Sequence, residues 1–373
     1  MEREYQICKK CVMDTSDPDI TFDKNGVCSY CKLYQKYQKY NLSTCSEAEL
    51  EKTIKKIKEN GKGKKYDCVI GVSGGVDSSF AVYLAKKKFQ LRPLAVHLDN
   101  GWNSEISQAN LERLLKKLDI DLYTYVIDWE EFKDLQLSFF KASVLHLENP
   151  TDHAIGALMY NAAIKQGLKY IIHGGNLHTE ALMPRSWGYD CRDLKYIKAI
   201  HKMFGKVELK TYPTLGIWKI AYYTLAQKIH LFPILNYTGD YNKEKTKELL
   251  KKEFGWVDYG GKHGESIFTR FYQSYLLPRK FNIDKRKAHF STLINSGQMT
   301  RGEALELIKK DPVTDSQTQK DKEYVISKFG LSPKEFEELM DLPVRSYKDY
   351  PNHSLFTQKL VPIYVVIKKL LSR

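Results

Sequence analysis

The stretch YDCVIGVSGGVDSSFAVYLAKKK, residues 66–88, decides the fold of this 373-residue chain. Its apolar start at residues 66–72 predicts a buried strand, and the helical periodicity of residues 80–88 predicts a helix. Between them lies Ser-Gly-Gly-Val-Asp-Ser-Ser, residues 73–79. This turn suits phosphate, because glycines let backbone N–H groups approach oxygen atoms and a helix N-terminus favours negative charge.

Asp77 is a carboxylate inside this anion-binding loop. It would repel phosphate unless a cation lies between the two, so we predict that Mg²⁺ bridges Asp77 and a phosphate. The loop contains neither the Gly-Lys-Ser/Thr of a Walker A motif nor a Rossmann Gly-x-Gly-x-x-Gly. A glycine-rich turn with a capping serine is the alternative interpretation.

Strands and helices alternate after the loop. Further strands are predicted at residues 92–98, 122–127 and 169–173, and helices at residues 104–118, 130–147 and 153–167. This alternation predicts an α/β fold with a doubly wound parallel sheet. Ligands of such sheets bind at the carboxyl ends of the strands, where Ser73, Asp99 and Gly174 would meet.

The composition limits the function classes. A hydrophobic content of 42% excludes a wholly disordered chain, and no stretch approaches the roughly 20 apolar residues of a membrane span. We therefore expect a cytoplasmic protein without membrane insertion. The net charge of +14 favours anionic partners. The lysines are scattered along predicted helices, which favours solvated faces over a nucleic-acid surface.

Four of the seven cysteines lie in the first 31 residues, as Cys8-x-x-Cys11 and Cys28-x-x-Cys31. Two such pairs can supply four thiolates at the corners of a tetrahedron, so we predict a structural Zn²⁺. An iron–sulfur cluster and free or disulfide-linked cysteines are the alternatives. Four protein ligands leave no open position on the metal, which favours a structural role.

Ser-Gly-Gly-x-Asp-Ser resembles the pyrophosphatase loop (PP-loop) of the N-type ATP pyrophosphatases, which include GMP, NAD and asparagine synthetases and tRNA-thiolating enzymes. The resemblance implies an adenine nucleotide alpha hydrolase-like fold and an enzyme that cleaves ATP between the α and β phosphates and transfers AMP to an oxygen. The residues implied to bind ATP are Val72, Ser73, Gly74, Gly75, Asp77, Ser78, His97, Leu98 and Gly174, with His97 and Leu98 at the adenine.

The segment at residues 174–180 resembles the Gly-Thr-x-x-x-x-Glu segment of NAD synthetase, whose glutamate holds Mg²⁺. The resemblance implies that Glu180 is a second Mg²⁺ ligand beside Asp77. Gly175 stands where threonine is usual, so a phosphate contact at that position is not implied. An exposed helix carboxylate is the alternative interpretation of Glu180.

Most of the chain resembles the N-acetyl sugar amidotransferases of bacterial surface-polysaccharide and flagellar-glycan pathways. The matching stretches are residues 7–15, 22–31, 71–78, 150–153, 259–265 and 331–336. The resemblance implies that ATP adenylylates the oxygen of a sugar acetamido group and that ammonia displaces AMP, leaving an acetamidino group. The substrate would be an acetamido sugar or sugar nucleotide.

A separate glutaminase subunit is expected to supply the ammonia. None of the cysteines stands in the Gly-x-Cys-x-Gly setting that presents a triad nucleophile, and four are assigned to metal. No cysteine directly follows the initiator Met, as an N-terminal nucleophile would require. The resemblance agrees, since the family works beside a glutaminase partner.

Further site residues are predicted from charge and position. Lys262 and Arg279 are chosen as catalytic cations, with Asp77, from the cationic residues Lys262, His263, Arg270, Arg279, Lys280, Lys285 and Arg286. Surface charge is the alternative for each of them. Asp152, His153 and Asn176 are predicted to touch substrate, and a helix N-cap is the alternative for Asp152.

The predicted domains are a zinc knuckle with a helical N-terminal region at 1–60, an ATP pyrophosphatase domain at 61–200, and a mostly helical substrate- or partner-binding region at 201–373. Within the last, helices are predicted at 300–309 and 332–341.

Two other functions stay open. A tRNA-thiolating enzyme would share the loop but commonly needs a persulfide-bearing cysteine near ATP, for which Cys191 is the candidate. A regulatory module that binds zinc and a nucleotide would release no AMP.

Overall fold

The structure of this protein is a computed structural model, and it describes residues 3–239, 241–260 and 264–354. Its centre is a parallel sheet with the strand order β3-β2-β1-β4-β5. The strands are β1 (Cys68–Gly71), β2 (Pro93–Asp99), β3 (Leu122–Val126), β4 (Tyr170–His173) and β5 (His230–Pro233). The predicted doubly wound parallel sheet is confirmed, including the four strands that the sequence indicated.

The α-helices surround this sheet and extend beyond it. They are α1 (Ser29–Thr44), α2 (Glu47–Gly61), α3 (Val76–Tyr83), α4 (Glu105–Leu118), α5 (Trp129–Lys141), α6 (Asn149–Lys165), α7 (Leu177–Glu180), α8 (Leu194–Phe204), α9 (Ile217–Leu225), α10 (Lys243–Phe254), α11 (Ile267–Phe271), α12 (Leu277–Phe281), α13 (Arg286–Asn295), α14 (Arg301–Ile308), α15 (Asp315–Phe329) and α16 (Pro333–Asp341). Among the residues just delimited, no helix combines the length and the apolar character needed to cross a bilayer.

Alternate strand residues enter two different cores. Val69 and its β4 neighbour Ile171 belong to a core that includes α6, whereas Ile70 and Ile172 belong to a core formed with α2, α3, α4 and α10. Successive side chains of a strand point to opposite faces, so helices have to cover both sides of the sheet. Each fully buried aliphatic side chain contributes roughly 1.5–3 kcal/mol to this packing.

The fifth strand was not predicted. β5 pairs with β4 in parallel register, although it lies in the segment assigned to the mostly helical region after residue 200. It has only four residues and lies at the edge of the sheet, with two of them exposed, so it lacks the apolar run that marks a buried strand. The sheet therefore continues past residue 200.

Two helix boundaries differ from the prediction in ways that affect the site. α6 begins at Asn149 and carries a proline in its first turn, so Asp152 lies inside the helix and is not its N-cap. α5 ends at Lys141, six residues before the predicted end at 147. The predicted helices at 300–309 and 332–341 are present as α14 and α16, each with a Ser or Thr capping box, which stabilises a helix by about 1 kcal/mol.

The carboxylates of α5 hold the loop after α8. Asp134 accepts hydrogen bonds from the backbone N–H groups of Lys206 and Val207 and from Nε2 of His201, at 2.8–3.0 Å. Burial opposes ionisation of Asp134, but these donors outweigh it and lower the pKa of the carboxyl group. The ionised carboxylate thus anchors the backbone of Lys206 and Val207 to the core.

The C-terminal helices dock at the end of β2 through Trp102, which is 1% exposed. Its ring contacts Phe268 of α11 and Phe329 of α15, at centroid distances of 5.1 and 5.3 Å. Backbone hydrogen bonds join the same segments, from Ile267 N–H to the Trp102 carbonyl and from Ser104 N–H to the Glu265 carbonyl. This pairing brings the start of the C-terminal region to the edge of the sheet where the phosphate loop lies.

Candidate active site

The loop between β1 and α3 is stabilised by its own hydroxyl groups. The Ser78 hydroxyl accepts from the Ser73 backbone N–H at 3.3 Å and lies 3.1 Å from the Ser73 hydroxyl, which accepts from the N–H of Gly75. Gly74 has φ of +77°, and a Cβ there would lie 2.2 Å from the Ser107 carbonyl oxygen. Only glycine fits this position, because both the conformation and the space exclude a side chain.

Asp77 lies in the first turn of α3 and contacts two other elements. Its carboxylate accepts hydrogen bonds from the hydroxyl groups of Tyr241 and Thr179, the latter at 3.5 Å. Burial and the Asp77 charge raise the pKa of Tyr241, so this phenol stays a proton donor. Gly174, just after β4, packs directly on the backbone of Asp77 and Ser78. Asp99 ends β2, beside β1 in the same parallel sheet, so the predicted placement of Ser73, Asp99 and Gly174 at one sheet edge is confirmed.

Two adjoining cavities open at this edge. The smaller has a volume of about 180 Å³ and is lined by Ser73, Gly75, Val76, Asp77, Ser78, Gly174, Gly175, Glu180, Lys243, Tyr259 and Glu265. Three carboxylates, two serine hydroxyls and a lysine thus surround the loop. Oxygen ligands of this kind suit Mg²⁺, which takes one or two carboxylates and completes its shell with phosphate and water. Asp77 and Glu180 therefore fit a Mg²⁺–phosphate group.

The larger cavity has a volume of about 540 Å³ and extends from the loop along β2. Val72 lines this cavity together with His97 and Leu98, the two residues expected at the adenine. His97 is held in place because its Nδ1 donates to the Val72 carbonyl at 3.0 Å and its Nε2 accepts from Asn103 at 3.1 Å.

The other end of the larger cavity is formed by residues of α6, of the segment just before it and of the C-terminal region. Its polar lining there is His146, Glu148, Thr151, Asp152, Ser266, Thr269, Gln273, Lys285 and His289. Nε2 of His146 lies 3.2 Å from the Asp152 carboxylate, and the Thr269 hydroxyl donates to Glu148. Asp152 is thus the predicted substrate residue that does line the cavity.

Three predicted site residues lie elsewhere, and each correction has a physical reason. The exposed Arg279 guanidinium stacks over the Tyr275 ring at 4.4 Å and lines neither cavity. His153 is buried, with Nδ1 donating to the Cys191 carbonyl and Nε2 accepting from the Leu215 N–H, so backbone groups use both nitrogens. Asn176 caps α7 by accepting from the Thr179 N–H at 2.9 Å. Lys262 lies outside the described residues.

Other residues were missed as site residues. Lys243, Glu265, Lys285 and His289 line the cavities, and His173, at the end of β4, lines the larger one. Burial lowers the pKa of His173, although the nearby charge of Glu180 acts to raise it. The sequence did contain a signal for two of them: Glu265 ends a matched stretch, and Lys285 belongs to the cationic segment.

The four N-terminal cysteines converge in a fully buried cluster, whose Sγ atoms all lie within 4.8 Å of one another. The Sγ separations are 3.9 Å for Cys8–Cys31, 3.6 Å for Cys11–Cys28 and 3.8 Å for Cys28–Cys31. A tetrahedron with Zn–S bonds of ~2.3 Å has edges of about 3.8 Å, so the cluster fits one zinc ion. A cluster of several iron atoms would hold the sulfurs farther apart.

Two parts of the chain match known families. Residues 47–207 match NAD synthase, and residues 265–363 match the LPS biosynthesis protein WbpG-like C-terminal domain. The chain joins an NAD synthase-like PP-loop domain to a WbpG-like C-terminal domain. This confirms the predicted relationship to amidotransferase-like PP-loop proteins of polysaccharide biosynthesis, and it supports an ATP-using role.

The individual proteins that resemble this chain share less than 30% sequence identity with it. This chain is 29% identical over 174 residues to the "Uncharacterized protein MJ1599" of Methanocaldococcus jannaschii. The match covers 46% of this chain and 59% of that relative, which is less than two thirds of its length.

Two solved structures resemble most of this chain at low sequence identity. The NH3-dependent NAD synthetase of Campylobacter jejuni shares 16% identity over 76% of this chain and 96% of its own, with a TM-score of 0.29. The U34-tRNA thiolase NcsA of Methanococcus maripaludis shares 12% identity over 79% of this chain and 88% of its own, with a TM-score of 0.32.

Proposed function

We propose that this protein is an ATP-dependent N-acetyl sugar amidotransferase that converts an acetamido group into an acetamidino group. The observation that carries the proposal is the shared cavity: PP-loop residues such as Ser73 and Ser78 line one part, and WbpG-like residues such as Gln273 and Lys285 line another. ATP and a polysaccharide precursor would therefore meet in one cavity.

Activation of the amide is the first step of the proposed reaction. The acetamido oxygen attacks the α-phosphorus of ATP, the bond to the β-phosphate breaks, and pyrophosphate leaves. The loop N–H groups and the Ser73 and Ser78 hydroxyls would bind the departing pyrophosphate, while Asp77 and Glu180 would hold Mg²⁺, which neutralises phosphate charge. An amide is a poor electrophile, and this step converts its oxygen into part of a good leaving group, AMP.

Displacement of AMP is the second step. The ammonia nitrogen bonds to the activated carbon, the carbon–oxygen bond to AMP breaks, and the nitrogen loses a proton to give the amidine. Asp152, paired with His146 in the same cavity, is a group that could take this proton. The contribution of the protein is mainly to orient the two reactants.

The ammonia would come from a separate glutaminase subunit. All seven cysteines lie in the described ranges. Four of them form the buried cluster, and Cys45, at the C-cap of α1, lines neither cavity. Cys68 is inside β1, and burial raises the pKa of the Cys191 thiol to about 12, against nucleophilic activity. Cys191 also lines neither cavity, which disfavours the tRNA-thiolation alternative because its persulfide has to reach the ATP site.

The test is a screen of acetamido sugars and sugar nucleotides with ATP, Mg²⁺ and ammonium. We expect AMP, pyrophosphate and a one-dalton decrease in sugar mass, no turnover with glutamine alone, and glutamine-dependent turnover once the glutaminase is added. Arg279→Gln, which changes a cation that lines neither cavity, is the control variant and should keep the activity.

Three outcomes would contradict the proposal. ADP and phosphate as products would exclude the PP-loop chemistry, and thiolation of tRNA with a sulfur donor would establish the alternative function. Glutamine-dependent activity of the purified chain alone would refute the separate partner.

A further inference from the structure

Helix α13 lies between the buried cysteine cluster and the larger cavity. It packs on α1, which starts directly after Cys28 and contains Cys31 of the second cysteine pair, and on α7, which carries Glu180. Its residues therefore face two sites that are separate in the sequence.

One stripe of α13 contacts the cysteine knuckle, residues 8–31. Lys287 forms an ion pair with the fully buried Asp14, and Ser291 accepts a hydrogen bond from the backbone N–H of Val12 at 3.2 Å. Asn295 donates from Nδ2 to Sγ of Cys31 at 3.5 Å. These residues are spaced four apart and share one face of the helix.

A second stripe faces the cavity. Lys285, the N-cap residue, and His289 line its substrate end, and Lys285 lies over the Tyr272 ring at 5.5 Å. Thr292 accepts from the N–H of Leu182, two residues beyond α7, at 3.2 Å. The same helix thus supports both the substrate end and the segment next to Glu180.

The contacts on the knuckle side hold the helix in a specific position. Asp14 and the Val12 N–H are fully buried, so water cannot replace their partners without a rearrangement. The helix that follows strengthens the attachment, because Arg301 of α14 donates to the carbonyl oxygens of Cys8 and Cys11 at 3.0–3.1 Å.

We propose that the knuckle is a positioning element for the active site, and that its contacts with Lys287, Ser291 and Asn295 set the placement of Lys285 and His289 in the cavity. The zinc ion that fits the four cysteines would hold the knuckle side of this contact rigid. The binding of substrate by Lys285 and His289 rests on the proposed function. The placement of α13 by the knuckle does not depend on that function.

The experiment compares the zinc-loaded variants Lys287→Gln and Ser291→Ala with the control Lys322→Gln. Lys322 also forms an ion pair in the C-terminal region, with a side-chain exposure of 21% against 17% for Lys287. Zinc content, hydrogen exchange of residues 286–295 and acylation of Lys285 by a soluble succinimidyl ester are measured by mass spectrometry. Acylation of Lys243 is the internal reference.

We expect one zinc per chain in all variants, with Lys285 acylation and exchange of residues 286–295 raised roughly fivefold in the two knuckle-side variants only. Ser291→Ala keeps the test decisive if Lys287→Gln does not fold. Zinc removal from the wild type should produce the same local change around α13.

The proposal would be overturned if the folded variants kept the wild-type rates of Lys285 acylation and of hydrogen exchange in residues 286–295. It would also be overturned if Lys322→Gln changed these rates equally. A rise in exchange spread evenly over the sheet on zinc removal would overturn it too, because it would make the knuckle a general stabiliser. None of these readouts needs turnover, so failure of the proposed reaction leaves the result interpretable.

Discussion

Gly174→Ala should impair catalysis through a steric effect that can be estimated from the structure. A Cβ at Gly174 would lie 2.7 Å from the Asp77 carbonyl carbon and 2.8 Å from the Ser78 nitrogen. Ordinary contacts begin at 3.4 Å, so the end of β4 and the first turn of α3 have to separate by about 0.7 Å. The obstacle is backbone, which cannot rotate away as a side chain does.

The Gly174→Ala substitution should lower both the free energy of unfolding and the catalytic rate. Overpacking costs typically ~1–3 kcal/mol of unfolding free energy. Moving the loop by most of an ångström relative to Glu180 misaligns the phosphate site, and a misplacement of about 1 Å can lower the rate on the order of 100-fold. Urea unfolding measures the first quantity, and release of pyrophosphate from ATP measures the second.

Gly156→Ala is the matched control. Gly156 lies within α6, and a Cβ there would meet no atom within 4 Å. Alanine has the higher helix propensity by up to ~1 kcal/mol, so this variant should be at least as stable as the wild type and fully active. Gly174→Ala with wild-type turnover and a stability equal to that of Gly156→Ala would refute the steric argument.

Three further predictions concern the metal sites and pH. Cys28→Ser should abolish zinc binding, measured by metal analysis, and lower the melting temperature more than it changes ATP affinity, since the metal stabilises the fold. Asp77→Ala should lower AMP formation severely while circular dichroism shows an intact fold; AMP formation at the wild-type rate would argue against a role in binding Mg²⁺. Asp134→Asn should be less stable than the wild type in urea at neutral pH. Because the folded pKa of Asp134 lies below its unfolded value, this difference is complete above pH about 4 and disappears as the pH falls through the folded pKa; a constant difference would contradict it.

The sequence by itself determined the features that depend on neighbouring residues. The strand, loop and helix around Ser73 and Asp77 are contiguous, so the apolar run, the glycines and the helical periodicity predict both their structure and their anion-binding chemistry. The two Cys-x-x-Cys pairs likewise predict a four-thiolate cluster from spacing alone. The alternation of strands and helices predicted the parallel sheet and the edge at which the site lies.

Only the tertiary structure decided which charged and polar residues outside the loop reach the cavities. Lys285 and Arg279 lie in the same cationic segment, yet one lines the larger cavity and the other stacks on an exposed ring. His153 resembled a substrate residue, but two backbone groups from distant segments occupy its nitrogens. The physical reason is that the sequence gives a side chain's chemistry, whereas its partner depends on which helix faces pack together and on which buried polar groups need a hydrogen bond.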